Sequence, residues 1–202
     1  MARPNYFDIL EELSKNACEA VSIACAYPLS ARDDKRRECK GKKQDKEILC
    51  ELRGRCDKMI CSLEGNLFSD FIPPLERDNI ASLAHGFFRI INRAAEHCST
   101  VQERQGNAVQ NDEERLCVVL CEKLSENTAM LRQIRSPEKT PSLTEFRATL
   151  REAGEAHGAY LSRISAGVVP RAYAMRAFSA ARLRFEISRC FDVLVEVMLG
   201  NI

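Results

Sequence analysis

Apolar residues recur at three- and four-residue intervals along almost the whole of this 202-residue chain, and no stretch alternates apolar and polar residues as a strand would. The segment from Leu52 to Ile80 shows the constraint most clearly. Leu52, Cys56, Met59, Ile60, Leu63, Leu67 and Phe71 fall on one face of a helix. Pro73-Pro74 then stops that helix, because the ring removes a backbone donor and clashes with the preceding turn. Glu76 and Asp78 follow at once, placed to complement the positive end of a new helix. Two long antiparallel helices joined at a hard corner are expected.

The same periodicity predicts six helices: Tyr6 to Tyr27, Arg32 to Phe71, Leu75 to Gln105, Asp112 to Arg135, Leu143 to Ala166, and Arg171 to Leu199. Gly106-Asn107, the SPEKTPS loop and the Gly167/Pro170 corner separate the later ones. A shift of 96 residues lays Pro74 on Pro170 and Arg93 on Arg189, so the helices read as a structural repeat with few identities. The predicted fold is all-α: two three-helix bundles side by side, residues 1–106 and 107–202, together one compact helical domain.

Composition narrows the function classes. A formal net charge of +1 argues against a dedicated nucleic-acid binder. No apolar run approaches the roughly 20 residues needed to span a bilayer, and MARPNYFDILEEL carries acids where a secretory leader would be apolar, so no leader is expected. Ten cysteines are scattered at helical spacing, mostly where Ala or Val would serve, and no Cys-x-x-Cys pair occurs. Cys117 and Cys121 share a helix face, but two ligands without a third do not make a metal site. A reducing cytoplasm suits such a chain. His85, His97 and His157 have neither metalloprotease spacing nor a nearby nucleophile signature, and read as core-edge or surface residues. No enzyme and no cofactor is expected.

The corner FIPPLERDNI, together with the opening NYFDILEELSKNACEA, resembles the PhoU-like family of helical bacterial and archaeal proteins associated with phosphate transport. The likeness is close over about the first 95 residues and thin beyond them. It implies the same pseudo-repeated helical bundle. It also implies metal-holding acids: Glu-x-x-x-Asp before the corner, with the aspartate 17 residues ahead of the proline, and Asp-Asp-x-x-Asp after it. Counting back from Pro74 reaches Asp57 without a gap, but the expected glutamate is Arg53. The three later aspartates fall on Phe88, Arg89 and Asn92. In the second half SRCFDV resembles the family's acid-Arg-Cys-acid-acid-Val run, with Ser188 in place of its leading aspartate and Arg184 near the preceding glutamate. The remaining pair aligns to Ala153 or, with a gap, His157. No carboxylate pair survives, so no metal is expected at Arg53, Asp57, Phe88, Arg89, Asn92 or Ser188.

Guanidinium groups at former cation positions have two readings. They are ordinary surface ion pairs, or Arg53, Arg89, Arg93, Arg184 and Arg189 contact an anion or an acidic partner. Similarly, Arg32 to Glu47 holds eight Lys or Arg against five acids, and is either the solvated start of helix two or a contact for an anionic membrane face. The resemblance implies a non-enzymatic accessory protein that modulates inorganic phosphate transport or its signalling. Its expected partners are a phosphate permease or an associated signalling protein. A homodimer is also expected, and the alanine-rich first half of helix six permits close helix packing, including across a dimer interface. The alternative is a helical scaffold or adaptor that has lost both the metal and the link to phosphate.

Overall fold

A computed structural model describes residues 5–25, 35–69, 75–102, 112–133, 143–170 and 173–200, with backbone alone at 35–43, 101, 102, 133 and 143. Of the described residues 94% are helical, and no strand occurs among them. The helices are α1 (Tyr6–Cys25), α2 (Lys35–Ser69), α3 (Arg77–Gln102), α4 (Asp112–Ala129, extended by a 3-10 turn Met130–Gln133), α5 (Leu143–Ser165) and α6 (Ala174–Leu199). α2 and α3 form the longest hairpin; the prolines of its corner lie outside the described residues, as does the expected 106/107 boundary. At the start of α3 the amides of Asn79 and Ile80 both donate to the Glu76 carbonyl at 3.1 Å.

The predicted faces are the buried ones. Leu10, Leu13, Ala17, Val21 and Ala24 of α1, Leu52, Cys56, Ile60, Leu63 and Leu67 of α2, and Ile80, Leu83, Phe87, Ile90, Ala94 and Cys98 of α3 all lie in the core. Residues of all six helices join one apolar cluster, so the two halves share a core. α1, α3, α6 and α4 form a ring at its centre, each packed on the next, while α2 covers α1 and α3, and α5 covers α4 and α6. Gly86 of α3 meets Cys190 of α6 across the two halves: a Cβ on Gly86 would lie 2.7 Å from the Cys190 Sγ. Phe146 of α5 stacks on Phe191 of α6, with ring centroids 3.5 Å apart.

The α5–α6 corner follows from its sequence. Gly167 takes φ +72°, where a side chain would be strained, and donates to the Ile164 carbonyl while Val168 donates to that of Arg163. This left-handed closure satisfies the last carbonyls of α5 before Pro170 prevents its continuation. The nine described cysteines are all free thiols. Five of them, Cys56, Cys98, Cys117, Cys121 and Cys190, are buried as small apolar residues.

Candidate functional site

The hairpin of α2 and α3 brings several of the sequence-predicted residues together. Arg53 from α2 and Arg89, Asn92, Arg93, Glu96 and Ser99 from α3 line an open groove of about 730 Å³, closed at one side by Glu186 of α6. Arg89 and Arg93 are one helical turn apart and so project in the same direction. Arg89 Nε donates to Glu186 Oε2 at 3.3 Å, and Arg93 Nε lies 3.8 Å from the other oxygen of that carboxylate. Arg93 also donates to Glu96 at 2.5 Å. Arg53 is exposed and forms no ion pair with any described residue. The buried Oδ1 of Asn92 has no hydrogen-bond partner among the described residues. Three guanidinium groups thus face two carboxylates, which leaves the groove with an excess of one positive charge.

The other expected positions separate. Asp57 is exposed on α2 and is not among the residues lining the groove. Phe88 is half-buried against the main core, Ser188 is half-buried on α6, and Arg189 is exposed. Arg184 turns instead to the buried Glu113. The five arginines therefore do not converge on one anion site: Arg53, Arg89 and Arg93 share the groove, and the other two lie elsewhere. Where the resemblance implies a metal, the donor set does not fit one. Guanidinium groups and an amide stand in place of carboxylates, and two fixed positive charges near a divalent ion cost several kcal/mol even at an effective dielectric of about 20. Among the described residues, no group of three or more His, Cys, Asp or Glu side chains is placed to hold a metal ion.

A second polar cluster, buried between α3, α4, α5 and α6, was not expected from the sequence. Glu114, almost fully buried, accepts from Arg176 Nε at 2.7 Å and from Arg176 Nη2, which is buried with it. His97 Nε2 lies 3.0 Å from Glu114 Oε1, within ion-pair range but outside hydrogen-bond geometry. The adjacent Glu113, wholly inaccessible, accepts from Arg184 Nε at 2.9 Å and meets His157 Nδ1 at 2.8 Å. Burial alone would raise the Glu114 carboxyl, but the bonds from Arg176 and the approach of His97 hold it below its ordinary 4.5. For Glu113 burial prevails over His157 and Arg184, and its carboxyl is raised.

This cluster corrects the reading of one histidine. His97 is fully buried, not at the core edge, whereas His157 is half-buried against Glu113, and His85 is exposed and pairs with Glu64 at 2.8 Å. A usable signal was present in the sequence. Glu113 precedes Leu116 and Cys117 at the spacing of one helical turn, and Glu114 precedes Cys117 and Cys121 at the spacing of one turn and two. Both acids therefore share the apolar face of α4, which the core buries. The basic run 32–47 lies outside the described side chains except for Gln44 to Glu47.

No protein-family model matches the chain, and none of the curated proteins matches it by sequence. Among solved structures, the fold is that of PhoU-like proteins. A PhoU-like protein from Shewanella oneidensis MR-1 superposes with a TM-score of 0.74 at 13% identity, over 97% of this chain and 100% of that one. A structure from the same organism, described as a putative PhoU-like phosphate regulatory protein, gives 0.75 at 13% identity, over 98% and 100%.

Proposed function

We propose that this chain is a non-enzymatic regulator of inorganic phosphate uptake, acting at the cytoplasmic side of a transporter or on its signalling partner. The observation that supports this most is the likeness in fold over 97–98% of the chain to proteins described as PhoU-like, one of them as phosphate regulatory. The α2–α3 groove supplies its ligand chemistry. With one guanidinium in excess, and planar forks suited to tetrahedral or carboxylate oxygens, it takes an anion in place of the family's metal. Glu186 serves as the resident counter-ion that an incoming anion displaces from Arg89.

The test is uptake of radiolabelled phosphate by host cells with and without the chain. A changed uptake rate, lost again in Arg53→Ala/Arg89→Ala, is expected. Unchanged uptake on deletion would refute the phosphate reading. A scaffold role is the second reading, and one observation favours it. Arg89 and Arg93 are already paired with Glu186 and Glu96, as structural side chains would be. Regulation that persists in the double-arginine variant would select it over an anion-binding groove.

A further inference from the structure

Six large apolar side chains are strongly exposed among the described residues, and four of them lie on α6: Met175 (51%), Phe178 (51%), Phe185 (63%) and Leu199 (65%). The exposed positions of this helix are 175, 178, 182, 185, 189, 192, 196 and 199. Their spacing alternates three and four residues, the repeat of a coiled-coil seam, and it continues for about 36 Å at 1.5 Å per residue. Between the apolar residues stand Arg182, Arg189, Asp192 and Glu196, none of which forms an ion pair with a described residue. Met175, Phe178 and Phe185 lie near one another along this line, and exposed apolar residues that cluster mark an interaction site more often than isolated ones do.

The order of charges along the seam selects the occupant. Along the seam the basic residues Arg182 and Arg189 precede the acidic Asp192 and Glu196, and a parallel copy would set like against like. An antiparallel copy does the reverse. Pairing positions that sum to 374 puts Arg182 opposite Asp192, Phe185 opposite Arg189, Phe178 opposite Glu196 and Met175 opposite Leu199 of the second copy. Each of these contacts is repeated by the two-fold axis. Arg182 meets an opposite charge, the Arg189 guanidinium meets an aromatic face, the Glu196 carboxylate lies at the edge of Phe178, and the terminal layers are apolar. In this register the first residue of each three-residue step faces the second of the partner's, which is how antiparallel helices interlock.

We propose that the exposed face of α6 binds the same face of a second copy of this chain, as an antiparallel two-fold helix pair. The surface is separate from the α2–α3 groove, so the proposal stands apart from the regulatory reading.

Sedimentation equilibrium of the full chain, at low and moderate salt, tests it. The native protein is expected to dimerise. Arg182→Asp and Asp192→Arg should each weaken the dimer by on the order of tenfold or more, because each sets like charges together in two symmetry-related layers. The double variant Arg182→Asp/Asp192→Arg should restore it, and Phe185→Ser should weaken it without a compensating partner. All these positions are exposed, and circular dichroism verifies that the variants remain helical. A protein that stays monomeric over the accessible concentration range overturns the proposal. A dimer indifferent to both single reversals does so too, since it would use another face. Phe185-dependent co-sedimentation of a monomer with phosphatidylglycerol vesicles would overturn it in favour of a membrane occupant.

Discussion

Glu114→Gln removes one negative charge from a buried site while preserving shape. It leaves the Arg176 guanidinium, only 5% exposed, facing a neutral amide. Breaking a buried pair by neutralising one partner costs about 3–5 kcal/mol, since the stranded charge keeps its desolvation penalty. The Gln oxygen still accepts one bond, so the lower end, about 3 kcal/mol, applies. For a chain of 202 residues, at about 2–4 °C per kcal/mol, Tm should fall by roughly 6–12 °C. The pH dependence has a definite sign. The Glu114 carboxyl is held below its ordinary 4.5 in the folded protein. Its contribution is therefore present at neutral pH and is lost as pH falls through that lowered value. Glu114→Gln should lack this acid-side loss. Glu113 is raised by burial, so its charged form is a cost at neutral pH that protonation relieves. Glu113→Gln should accordingly change stability by less than about 1 kcal/mol, the scale of one neutral hydrogen bond. Urea titrations monitored by circular dichroism between about pH 3.5 and 7.5, spanning the carboxylate range, measure both. A Glu114→Gln loss under about 1 kcal/mol, typical of exposed pairs, would refute the claim that the Arg176 pair is excluded from water.

Other consequences can be checked on stability and reactivity. Gly86→Ala should destabilise by about 1–2 kcal/mol, because overpacking against Cys190 outweighs the gain in helix propensity, whereas Gly54→Ala, with nothing within 4 Å of its Cβ, should stabilise by up to about 1 kcal/mol. Adding Cys190→Ala to Gly86→Ala should recover part of the loss in the same denaturant titration, because the closest contact is the thiol. Burial pushes the Cys98 thiol up to about 11 and Cys190 up to about 12, while Cys50 and Cys61 are exposed. Of these four, Ellman's reagent at about pH 8, near the ordinary thiol range, should label Cys50 and Cys61 first, and Cys190 only on unfolding. Rapid labelling of Cys190 in the folded protein would contradict its burial.

Helix positions and faces were legible in the sequence because one physical quantity, the 3.6-residue recurrence of apolar side chains, decides both. The bounds of α5 and α6 shifted little, and the Gly167 corner is where its backbone requirement put it. The groove was legible in part. Spacing from the proline corner placed Arg53, Arg89 and Asn92 on facing helices, and α6 brought Glu186 to them. Arg184 and Arg189 do not join that groove, because a repeat shift aligns positions along a helix without fixing the direction in which each side chain turns. Glu113 drew Arg184 inward, and nothing in the local sequence of α6 announces a buried acid on α4. The Glu113/Glu114 cluster shows the general limit. Periodicity says that a position is buried, but only the assembled helices show which opposite charges make that burial tolerable.

Elemental analysis of untagged protein, purified without chelator, tests most directly whether guanidinium groups have replaced a metal site on the α2–α3 hairpin. No stoichiometric iron, zinc or manganese is expected, since Arg53, Phe88, Arg89 and Asn92 offer no converging carboxylates and Asp57 is exposed apart from the groove. Stoichiometric metal that disappears in Asp57→Ala would contradict it.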